Sequence, residues 1–430
     1  MRTSHTHPLT NPEVFKKQLL LWAQQFDDVI WLDSNNHKDK LHSYDAILAV
    51  DAFTSIQTDY HEAFERLDEY QQTTKDWIFG YLTYDLKNSI EDLKSNNFDG
   101  INLPELYFFQ PKKLFLFKGN TLVIRYLKFV DDEIEADLSD INQISHHKTE
   151  PSRNGIKIKL RIHKDEYFDK VNMMLNHIQR GDIYEANFCQ ECYAEDSTIN
   201  TVETFNKLND ISKPPFATYL KHGETYLLSA SPERYIKKDG NRVISQPIKG
   251  TAKRSLDPAE DQKLADQLSK DQKERSENIM IVDLVRNDLS HTAEKGSVNV
   301  DELCKVYSFL QVHQMISTIS SRVSDSIKPV EILKTTFPMG SMTGAPKISA
   351  MEIIEELEET KRGLYSGSVG YFTPDGDFDF NVIIRSIIYN ASNAYISYSV
   401  GSAITAKSDP LKEYEECLIK AKAMREVLEN

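Results

Sequence analysis

Hydrophobic residues in the first 130 positions occur as short runs separated by polar turns, a pattern typical of buried strands. The runs AILAVDAF (46–53) and WIFGYLTYDL (77–86) predict two such strands. The segment KLFLFKGNTLVIRY (113–126) places Gly119 and Asn120 between two apolar runs, which predicts a β-hairpin. The amino-terminal part of the chain is therefore expected to be rich in strands.

A different period follows, in which apolar residues recur every three or four positions and predict helices. One helix is predicted before Gly181 by a stripe of five residues: Tyr167, Val171, Met174, Leu175 and Ile178. A long helical region is predicted from Asp257-Pro258, with a capping acid at Glu260. A last helix is predicted from Ser408 or Asp409, with Pro410 in its first turn and a stripe at Leu411, Tyr414, Leu418, Ala421, Met424 and Leu428.

Between these helices the chain returns to strand-like runs. They are ETYLLSAS, RYIKK and NRVISQPI, followed by a segment (366–400) that predicts three strands broken by turns at 374–376 and 390–393. Frequent hairpins among helices favour an α+β fold with a large antiparallel sheet core flanked by helices. The polar stretch 131–155 predicts an exposed connection between an amino-terminal region, 1–150, and a carboxy-terminal region, 156–430.

Charge and cysteine content narrow the class of protein. The chain has 51 Lys and Arg against 66 Asp and Glu, a net charge of −15, which disfavours nucleic acid as a partner. There is no signal-peptide pattern at the start and no apolar run long enough for a membrane span, so neither export nor membrane insertion is expected. The four cysteines are too few for a disulfide framework, and Cys189 and Cys192 form only a lone CxxC. These features predict a cytoplasmic protein with reduced thiols.

Two acidic pairs are candidates for metal binding. Glu274 and Glu277, like Glu413 and Glu416, are three residues apart, so each pair lies on one helical face. Carboxylates with open water positions suit Mg²⁺. The alternative is that both pairs are ordinary solvated helix faces, and spacing alone favours that alternative in so acidic a chain.

Three further features suit anion binding, each with a structural alternative. Arg385 is predicted inside an apolar strand, where it needs either a protein carboxylate or an anionic ligand. Lys420 follows Glu416 by four residues, so it either forms a simple helix ion pair or faces a ligand. The run FPMGSMTGAPK (337–347) is either a tight turn or a loop that directs backbone N–H groups toward an anion.

Eight stretches in this order resemble the chorismate-utilising enzymes, which include anthranilate, aminodeoxychorismate, isochorismate and salicylate synthases. They are GDIYEANFCQ, SASPERY, QPIKGTAKR, ERSENIMIVDLVRNDL, FPMGSMTGAPK, YSGSVGYF, IIRS and SDPLKEYEECLIKAKA. The resemblance is strong from about residue 160 to 428. It implies a β-sandwich of two antiparallel sheets with helices outside, to which the amino-terminal region contributes.

The resemblance also implies a set of site residues. Metal ligands are expected at Glu277, Glu416 and Glu413, with Mg²⁺ as cofactor. Substrate contacts with chorismate are expected at Ser341, Tyr365, Arg385, Lys420 and Thr251. Catalytic roles are expected for Lys249, His313 and Glu274. The chain departs from the family at VGSAITAKSDP, where Ala403 and Lys407 replace a glycine and an aspartate, so the substrate contacts of that loop are an open point.

Lys249 distinguishes two members of the family. Anthranilate synthases usually have alanine there, in PIAGT, whereas many aminodeoxychorismate synthases have the lysine of PIKGT. A lysine amine can attack C2 of chorismate as the C4 hydroxyl leaves, after which ammonia displaces it at C4. This requires a neutral amine, so the pocket is expected to lower its pKa. Ser341, and the lack of the tryptophan-sensing LLES, agree with component I of aminodeoxychorismate synthase; anthranilate synthase component I is the alternative.

The source of ammonia is expected to lie in another chain. None of the cysteines lies in a Gly-x-Cys-x-Gly elbow of the kind that glutamine hydrolases use. The resemblance therefore implies a separate glutamine amidotransferase subunit as partner, and a separate lyase for the last step to para-aminobenzoate.

Overall fold

A computed structural model describes residues 1–37, 41–144, 155–310 and 312–429. Within these ranges the helices are α1 Pro12–Trp22, α2 Ala63–Thr74, α3 Lys87–Ile90, α4 Ile134–Gln143, α5 Lys164–Arg180, α6 Thr201–Ser212, α7 Pro258–Lys270, α8 Gln272–Ser290, α9 Pro329–Thr336, α10 Lys347–Leu357 and α11 Pro410–Glu429. The strands are β1 Arg2–Pro8, β2 Asp28–Asp33, β3 Ala46–Thr58, β4 Ile78–Leu82, β5 Leu106–Lys118, β6 Thr121–Leu127, β7 Lys159–Leu160, β8 Glu185–Ala194, β9 Phe216–His222, β10 Thr225–Ser231, β11 Arg234–Asp239, β12 Arg242–Gln246, β13 Ile248–Lys253, β14 Asn299–Ser308, β15 Val312–Arg322, β16 Gly344–Ala345, β17 Ser368–Phe372, β18 Phe378–Asn381, β19 Ser386–Asn390 and β20 Tyr395–Thr405.

The sheet is built on one long antiparallel pair, β3 with β5. The other edge of β5 is shared, because its first half pairs with β4 and its second half with β6. A register shift between Ala52 and Thr54 bends the pair where the two halves meet. The predicted hairpin at Gly119 and Asn120 is confirmed as the β5–β6 turn.

Two arms of sheet diverge from this pair. The first continues from β3 through β2, β9, β10, β19 and β20 to β8. The second continues from β4 through β17, β18, β11 and β12 to β15, which also pairs with β13 and β14. The pairings of these named strands are all antiparallel, so the predicted α+β class with a large antiparallel core is confirmed. Strands on both sides of residue 150 share the sheet, since β2 pairs with β9 and β4 with β17.

The hydrophobic core has two layers, which explains why so many strands are apolar on both faces. On β2, Ile30 packs into a cluster shared by both arms, together with Val243 and Phe372. Its neighbours Val29 and Trp31 point the other way, into a cluster that includes residues of α1, α5 and α11. The strand period of two therefore places the two faces of β2 in two different hydrophobic clusters, and helices contribute to both.

The first differences from the sequence prediction concern helices. The predicted connection 131–155 contains α4, which buries Ile134 and Ile141; residues 145–154 lie outside the described ranges. The long helical region after Asp257 is two helices, because Asp271 is extended and caps α8 by accepting hydrogen bonds from the backbone N–H groups of Lys273 and Glu274.

Two further differences concern the end of the chain. Segment 366–400 contains four strand segments rather than three, because residues between Asn381 and Ser386 leave the sheet. In α11 the predicted stripe is only partly buried: Leu411 and Leu418 are exposed, while Glu413 and Cys417 are buried.

Candidate active site

A cavity of about 390 Å³ lies where β8, β13 and β20 meet the helices α8 and α11. Ten of the eleven predicted site residues line it: Lys249, Thr251, Glu274, Glu277, Ser341, Tyr365, Arg385, Glu413, Glu416 and Lys420. These residues come from positions up to about 170 apart in sequence, so the fold gathers them into one place.

Lys249 on β13 points its amine into this cavity and is held by residues of β8. Its Nζ lies 3.1 Å from Glu185 Oε1 and donates a hydrogen bond of 3.4 Å to Asn187 Oδ1. Burial acts to lower the pKa of Lys249, but the carboxylates of Glu185, Glu277 and Glu233 outweigh it and raise that pKa above its usual value. The expectation that the pocket lowers the pKa of this lysine is therefore wrong, because the surrounding acids stabilise the ammonium.

The two acidic pairs are carried by α8 and α11, which both line the cavity. Lys273 lies between the helices, with its Nζ 3.7 Å from Glu277 Oε1 and 3.5 Å from Glu413 Oε1. Burial raises the pKa of Glu277 to about 7, although Lys249 and Lys273 partly oppose the shift. Burial also raises the pKa of Glu274. In Glu416, by contrast, the opposing effect of Lys420 outweighs burial and the pKa is lowered.

The acidic wall fits a divalent cation by the chemistry of its donors. Glu277 Oε1 is buried without a hydrogen-bond partner, and a carboxylate oxygen in that state suits a hard cation. The ammonium of Lys273 shows that positive charge is accommodated between Glu277 and Glu413. Within the described ranges, however, no three His, Cys, Asp or Glu side chains are arranged as a preformed metal site.

Part of the cavity lining is suited to anions; we call it the anion-binding wall, and Arg385 is its main feature. It lies in the break between β18 and β19 with φ of +54°, rather than inside a strand as predicted. In the described part of the chain its guanidinium has no hydrogen bond or ion pair within contact distance. Burial lowers the pKa of Arg385, against the opposing effect of Tyr365 and Glu416. A half-buried cation without a hydrogen-bond or ion-pair partner in the described ranges favours the ligand alternative over a protein carboxylate.

Tyr365 and Lys420 border the same wall. Tyr365 is buried, and its hydroxyl lies 3.8 Å from Cys189 Sγ. Lys420 combines both alternatives raised by the sequence, because it lines the cavity and also pairs with Glu416 at 2.6 Å. Its Nζ donates a further hydrogen bond of 2.8 Å to the carbonyl of Gly401, on the strand that contains Ala403.

A buried arginine, Arg362, links segments of the chain that line the cavity. It forms an ion pair of 2.7 Å with Glu358 and donates to the carbonyls of Met342 at 2.6 Å and Asn187 at 2.9 Å. Glu358 in turn accepts from the backbone N–H of Cys189 at 2.9 Å. The network ties β8 to the predicted loop 337–347, whose Ser341 carbonyl accepts from Asn187 Nδ2 at 2.6 Å.

His313 is the one predicted site residue that lies elsewhere. Successive residues of a strand face opposite sides of the sheet, so Val312 and Gln314 of β15 line the cavity while His313 points away from it. The ring is buried, with Nε2 3.0 Å from Asp261 and Nδ1 2.8 Å from Ser308. Its position favours a structural role in holding α7 against the sheet.

The sequence reasoning missed several polar residues of the cavity and its walls. Glu185, Asn187 and Glu233 are buried, and Gln314 Oε1 is buried without a hydrogen-bond partner. Burial raises the pKa of Glu233 to about 7, although Ser341 and Lys249 oppose the shift. The signal was the pair Glu185 and Asn187, two positions apart in GDIYEANFCQ, because a strand places such residues on one face. The same alternation places Cys189 and Cys192 on opposite faces, so the CxxC has packing roles.

Comparison with known proteins places this chain in a family. A sequence profile describing chorismate binding enzymes matches residues 17–426. An anthranilate synthase component I-like protein of Synechocystis is 34% identical over 82% of this chain and 72% of its own length. Aminodeoxychorismate synthase component 1 of Escherichia coli is 39% identical over 62% of this chain, which spans only 58% of that protein.

A solved structure agrees with these similarities. The crystal structure of anthranilate synthase component I from Streptococcus pneumoniae superposes with a TM-score of 0.77 at 26% identity, over 91% of this chain and 94% of that one. Among the helices in the described ranges, none is long and apolar enough to cross a membrane.

Proposed function

Because this chain belongs to the chorismate-binding enzymes, we propose that it is component I of an aminodeoxychorismate synthase. It would convert chorismate and ammonia to 4-amino-4-deoxychorismate, a precursor of para-aminobenzoate and folate. The observation that carries this proposal is the amine of Lys249, which lines the cavity and lies between Glu185 and Asn187. A half-buried lysine facing a substrate cavity is suited to nucleophilic catalysis.

Substrate binding is assigned to the anion-binding wall. Arg385 offers a planar guanidinium with no protein partner in the described ranges, which suits a bidentate contact with a carboxylate of chorismate. Tyr365 and Lys420 border the same space, and Ser341 and Thr251 supply hydroxyl groups near Lys249. This arrangement would hold the ring with its reacting face toward the lysine.

Magnesium is assigned to the acidic wall, with Glu277, Glu413 and Glu416 as its ligands and Glu274 beside them. When bound, Mg²⁺ supplies positive charge that stabilises the carboxylates of the substrate. Glu274, whose carboxyl pKa is raised by burial, is assigned the delivery of a proton to the leaving C4 hydroxyl.

The role of Lys249 follows from where nitrogen must be placed. Its neutral amine attacks C2 while the C4 hydroxyl leaves, and ammonia then attacks C4 and releases the lysine. In the free protein the acids around Lys249 favour its ammonium form, so a proton must be removed before the attack. The acid-rich cavity supplies several acceptors for that proton.

We assign the supply of ammonia to a separate glutamine amidotransferase subunit, in the cytoplasm. The Streptococcus and Escherichia coli relatives are each named as one component of a synthase, which supports a partner chain. We also propose that residues 1–150 contribute to the sandwich, while 156–430 contain the catalytic region. Isolated protein should therefore aminate chorismate with ammonium but not with glutamine, and product formed from glutamine without any partner would overturn the assignment.

A second candidate function is anthranilate synthase component I. It is favoured by the name of the Synechocystis relative, which aligns with 82% of this chain. The two reactions share the substrate and differ in the ring carbon that receives nitrogen.

Product identification tests the choice between them. Purified protein is incubated with chorismate, Mg²⁺ and ammonium, with and without an aminodeoxychorismate lyase, and the products are resolved by liquid chromatography and mass spectrometry. We expect para-aminobenzoate only when the lyase is present. Fluorescent anthranilate formed without the lyase would instead establish the second candidate, and unchanged chorismate would refute both.

A further inference from the structure

Glu185 is a buried carboxylate that the proposed reaction has not yet used. Its side chain has no solvent exposure, and its Oε1 lies 3.1 Å from Lys249 Nζ. Apart from this ion pair, neither carboxylate oxygen has a hydrogen-bond partner. A buried carboxylate normally accepts several hydrogen bonds, so an acid whose charge is balanced by one lysine alone is unusual.

The position of Glu185 is fixed by strands on both sides. It begins β8, where its backbone pairs with Thr405 of β20 on one edge and Ala345 of β16 on the other. Asn187, two residues later, shares the same face of the strand and also contacts Lys249 Nζ. The lysine amine is therefore held between two side chains of a rigid strand.

We propose that Glu185 is the catalytic proton acceptor for Lys249. The inference rests on the proposed function, because it concerns the lysine as nucleophile. A separation of 3.1 Å lets a proton pass directly from the ammonium to the carboxylate, without an intervening water. The transfer converts an ion pair into a neutral pair, so it creates no unbalanced charge in the buried space.

The steps balance as follows. Glu185 takes one proton from the Lys249 ammonium, and the freed electron pair forms the C2–N bond as the ring double bonds shift and the C4–O bond breaks. The hydroxyl leaves as water with a proton from Glu274. Ammonia then forms the C4–N bond, the C2–N bond breaks, and the lysine leaves as a neutral amine. That amine recovers the proton from Glu185, which restores the starting ion pair. The new C4 ammonium gives one proton to Glu274, which restores its acid form and leaves the product amine.

The test measures formation of the lysine adduct. Wild-type protein, Glu185→Gln and Glu185→Asp are mixed with chorismate and Mg²⁺ without ammonia, quenched at intervals, and analysed by intact-protein mass spectrometry from neutral to alkaline pH. General base catalysis contributes about 100-fold or more, so Glu185→Gln should form the adduct about 100-fold more slowly near neutral pH. Its rate should rise with pH as solvent replaces the missing acceptor, and Glu185→Asp should recover part of the rate.

Glu191→Gln is the matched control, because Glu191 lies on the same strand, is buried, and pairs with Arg161 instead of Lys249. It should form the adduct at the wild-type rate, and circular dichroism verifies the fold of every variant. If Glu185→Gln reacts as fast as wild type or faster near neutral pH, Glu185 only raises the lysine pKa and the proposal is overturned. An absence of adduct in wild-type protein would instead refute the proposed function.

Discussion

Two arginines at the cavity differ in one respect that stability measurements can detect. Arg362 is 5% exposed and satisfied by Glu358 and two backbone carbonyls, whereas Arg385 has no protein partner in the described ranges. Replacing each with glutamine therefore removes a positive charge from the same region with opposite structural consequences.

Arg362→Gln should destabilise the fold strongly. The substitution breaks the ion pair and leaves Glu358, which is 6% exposed, as a buried charge without its cation. Breaking a buried pair by removing one partner lowers the free energy of unfolding by about 3–5 kcal/mol. A clear fall in the thermal unfolding midpoint is expected.

Arg385→Gln should leave the free energy of unfolding unchanged or raise it, because it removes a half-buried charge and breaks no hydrogen bond or ion pair within the described ranges. It should instead weaken chorismate binding. A charge-assisted hydrogen bond contributes about 1.5–3 kcal/mol, which corresponds to a loss of affinity of roughly 10- to 150-fold. Isothermal titration calorimetry with chorismate and Mg²⁺, beside thermal unfolding, measures both quantities. Early unfolding of Arg385→Gln together with wild-type affinity would refute the assignment of this arginine to the ligand.

Three further predictions concern the cavity. Glu277→Ala and Glu416→Ala should abolish turnover while the fold is retained, whereas Glu415→Ala, on the exposed side of α11, should be near wild type; full activity of either site variant in the presence of EDTA would exclude the metal role. Lys249→Ala should lower kcat with KM little changed and shift any remaining product toward anthranilate, and Lys249→Arg should be equally impaired because a guanidinium cannot become a neutral nucleophile. Wild-type rates of aminodeoxychorismate formation in either lysine variant would count against the nucleophile. Because the pKa of Glu277 is about 7 in the free protein, protons compete with Mg²⁺ below that pH. The Mg²⁺ concentration for half-maximal activity should rise as pH falls below about 7, and a pH-independent value would contradict this.

Much of the fold was predictable because its signals are local. The β5–β6 hairpin and the helix α5, which ends at Gly181 in the left-handed region, follow from turn residues and apolar spacing. Helix α11 was predicted in position but not in orientation. Its buried face includes Glu413, because the helix lines a polar cavity and an apolar stripe no longer marks the inward side.

Only those site residues that lie in recognisable sequence motifs could be predicted. Resemblance identified Lys249 and the acids, but the charge balance around the lysine depends on which side chains the folded strands bring near it. Glu185 lies in one of the motifs, but its contact with Lys249 exists only in the folded sheet. The alternation of β15 directs His313 away from the cavity. Arg385 was assigned to a strand because its neighbours are apolar, whereas its φ of +54° marks a turn that directs the side chain.

The sharing of one sheet by distant parts of the chain has a consequence for synthesis. The edge of β4 finds its partner β17 only some 290 residues further along the chain. At roughly 5–20 residues per second, that edge stays unpaired on the ribosome for about 15–60 s. β4 carries only apolar and aromatic side chains, IFGYL, and such an exposed edge can pair with another chain. We therefore expect the growing polypeptide to expose an aggregation-prone edge until β17 has been made, before the cavity and its chemistry exist.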